Sequence, residues 1–106
     1  MASYVLSPEA ARSIAEIDTY TAKQFGPKQA TRYLESVLDR LEFIADDPQR
    51  GMQRPELNVD CFSYFVGSHT IYYRITTGQI QIIDVLHQSI EPARHLTNTK
   101  RTNVDE

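Results

Sequence analysis

Basic residues are in short supply. Eleven Lys and Arg stand against fourteen Asp and Glu, giving a net charge of −3 and a pI near 5.6. Nucleic-acid affinity rests mainly on Lys and Arg neutralising phosphates, and a domain that grips RNA or DNA usually carries a basic excess. The overall balance therefore argues against a nucleic-acid enzyme. Cysteine occurs once, as Cys61. That excludes an internal disulfide and fits a reducing cytoplasm, with a buried thiol expected. No apolar run approaches the ~20 residues of a membrane span. The opening "MASYVLSPEAA" also lacks a basic region followed by a long apolar stretch, so no signal peptide is expected and the protein should stay in the cytoplasm. Tryptophan is absent, although six Tyr and four Phe supply bulk. The glycines of "GMQ" and "GSH" stand alone and form no phosphate-cradling loop. No serine sits in a GxSxG elbow. The three histidines lack HxxxH or HExxH spacing, and Cys61 has no CxxC partner. Neither a metal nor a cofactor is expected.

What is present reads as one small domain over residues 1–96, followed by a polar tail, 97–106. "SYVL" predicts a short strand. Ser7 then serves as N-cap, Pro8 as first helical residue, and Glu9 meets the positive end of the helix dipole. Ala10, Ile14, Ile17, Thr21 and Phe25 make one stripe, at steps of three and four. Gly26 ends that helix and Pro27 starts another. In the second helix Ala30, Tyr33, Leu34, Val37, Leu38, Leu41, Ile44 and Ala45 fall within an arc of roughly 140°. Pro48 stops it. "PQRGMQRPELNVD" reads as an irregular connection. Three strands are predicted next, Cys61 to Val66, His69 to Thr76 and Gln79 to His87, with "GS" and "TG" short enough for hairpins. The tail "TNTKRTNVDE" has a single apolar residue and should be solvated.

The predicted order is thus β-α-α-β-β-β, an α+β fold. The helical hairpin should lie on one face of a small, four-stranded antiparallel sheet, the first strand returning antiparallel to the second. In the last strand Ile80, Ile82 and Leu86 are expected on one face, and Ile83, Val85 and His87 on the other. Both faces are apolar, whereas an antiparallel sheet with one side in water usually alternates. Something is expected to cover the second face, with a partner segment the favoured candidate.

Candidate chemistry is sparse. His87 reads as a partly buried histidine at a strand end, and Cys61, without a flanking base, as core. Arg74 is expected to pair with a neighbouring carboxylate, and Arg50 and Arg54 to be solvated. Phe43 points away from the core stripe, so a partner-facing role is open to it. The stretches "YVLSPEAARSIAEIDTYTAKQFG", "DPQRGMQRPEL", "YFVGSHTIYYRI" and "IDVLHQSIEPARHL" together resemble the ParE toxins of the RelE/ParE superfamily, from Tyr4 to Leu96. The resemblance implies a toxin encoded beside an antitoxin, often in plasmid-maintenance modules, that poisons DNA gyrase by protein contact and is not an enzyme. It implies a ParD-like antitoxin bound in a hetero-oligomer. On this reading the partner-binding residues are Phe43, Arg50, Arg54, Arg74, Ile83, Val85 and His87. RelE-type members of the same superfamily cut mRNA on the ribosome. Arg74 matches a strand arginine of such nucleases, but Gln88 and Ser89 stand where a His/Tyr pair would be expected. The positions of Phe62, Ser68 and Ser89 often carry a basic residue in the family, and here do not. The alternatives are an mRNA interferase and an inert module that only binds antitoxin.

Overall fold

A computed structural model describes residues 3–96 of the chain. The expectation of a solvated tail at 97–106 falls outside the described residues. The elements run β1 (Tyr4–Leu6), α1 (Pro8–Phe25), α2 (Pro27–Asp46), a 3-10 turn (Pro48–Arg50), β2 (Met52–Gln53), β3 (Cys61–Val66), β4 (His69–Thr76) and β5 (Gln79–His87). Residues 92–96 add a last helical turn. The three long strands keep the bounds that the hairpin signals predict. The sheet has five strands in the order β1-β5-β4-β3-β2. The extra strand, β2, pairs Met52 with Ser63 and Gln53 with Phe62. It is too short to carry any alternation.

The first strand departs from expectation. β1 lies parallel to β5, with Tyr4, Val5 and Leu6 opposite Ile80, Gln81 and Ile82. It does not return beside β3. The cause is Ser7. Its N–H bonds to the Ile82 carbonyl at 3.0 Å. Its Oγ donates to the Ile83 carbonyl at 2.7 Å and accepts the Ala10 N–H at 2.9 Å. One residue caps the helix and fastens its start to β5. An apolar strand also gains most from a place between two others, and β5 takes it.

The helices cover one face. Ala10, Ile14, Val37, Leu41 and Ile44 pack on Phe62, Val66, Ile71, Tyr73, Ile80, Ile82 and Val85. Two residues of the predicted stripes stay exposed instead. Phe25, at the hairpin tip where α1 outruns the sheet, is 70% exposed, and Leu38, at one margin of the arc, is 37% exposed. Tyr73 reaches across this core to donate to the Pro48 carbonyl at 2.8 Å. Burial pushes its phenol up to about 12. Its hydroxyl lies where a side chain on Gly51 would begin, so that glycine is required by packing.

The alternation along β5 reverses midway. Tyr72 faces Asp84 but Tyr73 faces Ile82, which leaves Ile83 as an extra, bulged residue. Before the bulge the predicted faces hold. After it they exchange: Val85 joins Ile80 and Ile82 in the helix-side core, while Leu86 moves to the second face with Ile83. His87 follows Val85 to the helix side, against His69. The second face is partly covered by the chain itself. Cys61, Tyr72, Leu86 and Leu96 form a buried cluster there, flanked by Leu57, Ile83 and Ile90. The loop before β3 and the closing helical turn supply a roof that was expected from a partner.

Candidate functional site

The residues expected to meet a partner do not converge. They occupy three separate places.

The first is the rim between α2 and β3. Arg50 stacks on Phe43 with its guanidinium carbon 3.9 Å from the ring centre, and it also donates to the Phe43 carbonyl. Phe43 in turn tilts against Tyr64 at 6.0 Å, and Arg40 lies over Tyr64 at 5.6 Å. The result is a ladder of two rings with an arginine at each end, Arg50–Phe43–Tyr64–Arg40. Cation–π contacts of this kind contribute ~0.5–1 kcal/mol each at exposed sites. Arg40 also donates to the Phe65 carbonyl at 2.9 Å, occupying part of the β3 edge beyond β2. Phe43 stays 43% exposed and Phe65 and Met52 more so. Of these four, sequence reasoning singled out Phe43 and Arg50 and not Arg40 or Tyr64. Both belong to contacts between a helix and a strand distant in sequence, which no local pattern signals.

The second place is the other side of the sheet. Arg54 donates to the Glu56 carboxylate at 2.6 Å and to Ser63 Oγ at 3.2 Å. It lies 5.9 Å from the Tyr72 ring centre. The Arg54 hydrogen bond holds the Glu56 carboxyl below the usual range. Arg54 is therefore a fixed part of the roof, and not the freely solvated loop residue expected. Arg74 faces Cys61 on β3 and Gln81 on β5. The expected carboxylate partner is not there: among the described residues Arg74 makes no ion pair. Ile83 and Arg74 line one pocket on this face.

The third place is the end of the sheet on the helix side. Tyr33 accepts the Ser68 N–H at 3.0 Å, donates to the Val66 carbonyl at 3.1 Å, and lies 2.7 Å from His69 Nδ1. A Cβ on Gly67, whose φ is +55°, would strike the Tyr33 ring. The His69 and His87 rings meet edge to face at 5.3 Å. Burial first, and the neighbouring His87 second, hold His69 below the ordinary imidazole range. His87 Nδ1 accepts the Ser89 N–H at 3.1 Å, so neutral His87 carries its proton on Nε2. Val85 N–H is occupied by the Asp84 carboxylate at 2.8 Å, which also accepts from Ser13 at 2.6 Å. Tyr33 and His69 were not foreseen as a pair, since they are far apart in sequence.

His69 and His87 thus lie on the opposite face of the sheet from Arg74. Among the described residues no three His, Cys, Asp or Glu side chains converge as a metal site would require.

Comparison with known proteins places this geometry. The family described as "ParE toxin of type II toxin-antitoxin system, parDE" matches residues 4–92. The chain is 34% identical over 94 residues to Toxin ParE1 of Mycobacterium tuberculosis (strain CDC 1551 / Oshkosh), covering 88% of this chain and 96% of that protein. It is 33% identical over 96 residues to Toxin ParE1 of Caulobacter vibrioides, covering 91% and 99%. Among solved structures, the chromosomal ParDE TA system from P. aeruginosa superposes with a TM-score of 0.71 at 17% identity, over 82% of this chain and 96% of that one. The toxin–antitoxin complex RelBE2 from Mycobacterium tuberculosis gives 0.57 at 19% identity, over 82% and 98%. At those identities the structures speak for the fold alone.

Proposed function

This chain belongs to the ParE toxin family of type II toxin–antitoxin systems, and from that premise we propose that it acts in the cytoplasm by binding protein, with DNA gyrase as target and a cognate antitoxin as its neutralising partner. The observation that carries a non-enzymatic reading is the separation of Arg74 from His69 and His87, the paired histidines at the end of the sheet. Cutting RNA needs a cation for the scissile phosphate and a general acid and base within reach of the same atoms. Arg74 is flanked by Cys61 and Gln81, and neither is suited to that work. His69 and His87 are on the helix side of the sheet, engaged with Tyr33 and Ser89, and His87 is exposed there, not partly buried as expected. The net charge of −3 points the same way.

Protein binding is supported by the exposed aromatic–guanidinium ladder at Phe43. It is an apolar surface flanked by Arg40 and Arg50, the latter also facing Asp47 at 3.9 Å, and it suits an antitoxin tail with apolar and some acidic residues that orders on binding. The test is induced expression without antitoxin, following DNA and mRNA together. The expected outcome is DNA-damage signalling and filamentation before any loss of translation. Rapid codon-linked mRNA cleavage with replication unaffected would establish the interferase reading instead. Harmless expression with retained antitoxin binding would leave only the inert module.

A further inference from the structure

The roof over the second face is incomplete. Between the start of α1, the loop before β3 and Leu96 the chain leaves a pocket of about 340 Å³, within the range of small-ligand sites. Its floor is a single rung of sheet, with Cys61, Arg74 and Gln81 directly opposite one another on three neighbouring strands. Leu57, Ile83 and Leu96 wall it with apolar surface.

Arg74 is partly buried there. Among the described residues it has no carboxylate, carbonyl or ring to satisfy it. A guanidinium offers five N–H donors and keeps its charge at any ordinary pH. Drawn partly out of water without an acceptor, it gains more from an anion than a solvated arginine does. A carboxylate fits its fork through two parallel hydrogen bonds. Glu9 stands at the rim without pairing to Arg74. Its charge opposes a second negative charge, which favours a monoanion over a phosphate dianion. The apolar walls in turn suit a short hydrocarbon stem. We propose that this pocket binds a monocarboxylate on a short aliphatic stem, gripped by Arg74 and walled by Leu57, Ile83 and Leu96. The same chemistry comes either from an Asp or Glu side chain of a bound protein or from a free short-chain acid.

The test is a titration of the full-length, ¹⁵N-labelled chain with sodium butyrate, sodium acetate and sodium phosphate at constant ionic strength. Signals of the Arg74 Nε–H and of the Cys61 and Gln81 amides are followed. Butyrate is expected to give a saturable shift and phosphate none, with affinity falling about fourfold for each buried methylene removed. Arg74→Gln should abolish saturation. Ile83→Ala should keep carboxylate binding but lose the preference for butyrate over acetate, which separates loss of the pocket from loss of the fold. Repeating the titration on the complex with the cognate antitoxin distinguishes the sources. A response that vanishes assigns the site to a partner side chain, and one that persists assigns it to a free acid. The first arm needs no antitoxin, so the pocket can fail while the protein-binding function stands, or the reverse. A non-saturating drift in the wild type, or unchanged saturation in Arg74→Gln, overturns the proposal.

Discussion

Leu38 and Leu41 sit less than one turn apart on the same helix, both inside the apolar arc, and yet the sheet reaches only one of them. Leu41 is fully buried and Leu38 is 37% exposed. Leu41→Ala is expected to cost ~2–5 kcal/mol, as for a buried leucine that leaves a cavity. Leu38→Ala should fall well below that range, and Asp39→Ala should stay within ~0.5 kcal/mol. Urea melts of the three variants check the order, and equal losses for both leucines would mean that Leu38 is covered in solution. His69 gives a second residue-scale expectation, this one in pH. Its folded pKa lies below the unfolded value of 6.5, so below that pH the unfolded chain binds the proton that the folded chain resists. Stability should therefore be at its plateau above about pH 6.5 and decline as pH falls toward the lowered folded value. His69→Gln should flatten this part of the profile, and His87→Asn should reduce it, because His87 is the smaller of the two causes. A slope between pH 7 and 5 that neither substitution alters would place the titration elsewhere.

At the scale of elements, Ser7 joins a helix to a strand through one side chain. Ser7→Ala removes the cap on α1 and the hydrogen bond to the Ile83 carbonyl. Capping serines contribute ~0.5–2 kcal/mol, and a further hydrogen bond ~1 kcal/mol. The variant should melt earlier and show faster amide exchange in β1 and the first turn of α1, while β3 and β4 keep their protection. Uniform loss of protection would mean that β1 is not separately latched. Ser7 was legible in the sequence as a cap, since "SP" before an apolar stripe is a local signal. Its second bond was not legible, because Ile83 is distant in the chain. The same division runs through the whole fold. Helix stripes, hairpin turns and the bounds of β3, β4 and β5 depend on neighbours and could be read. The parallel seat of β1 depends on which distant edge is open, and β2 on a neighbour that draws two residues into register. The bulge at Ile83 is a third case. An alternating pattern gives no sign of where one residue will be skipped, so Val85 and Leu86 were assigned to each other's faces. The candidate site suffered most. Phe43 and Arg50 were found as individual residues. That Arg74 has no carboxylate partner among the described residues, and that Tyr33 meets His69, are facts of tertiary placement.

For the molecule as a whole, the three places described lie on different sides of the domain, so one partner that uses them all has to wrap. Phe43→Glu is expected to weaken antitoxin binding at least tenfold and to weaken folding less, by no more than the loss of its contacts with Arg50 and Tyr64. Its effect should add to that of His87→Glu, because the two sites share no contacts. Titration calorimetry on the single and double variants tests this. Strict additivity supports separate footprints, and no effect at either position would remove both from the interface. The complex should also resist heat more than the free chain, since a ligand bound only to the native state stabilises it by mass action. The seat of β1 has a consequence in time. β1 precedes the other elements described, yet among the described residues its only neighbour in the sheet is β5, the last strand, and the Ser7 bond to Ile83 spans 76 positions. A ribosome that has delivered the chain as far as Thr76 has released both helices but nothing for β1 to pair with. Ile80, Ile82 and Val85, which complete the layer under the hairpin, are still to come. Contacts so far apart in sequence form slowly, and domains mature as their last element emerges. A nascent chain therefore offers its bare helical hairpin before it offers any finished sheet face. An antitoxin already in the cell that recognises the hairpin could meet its target while translation is still under way, ahead of the moment at which harm becomes possible.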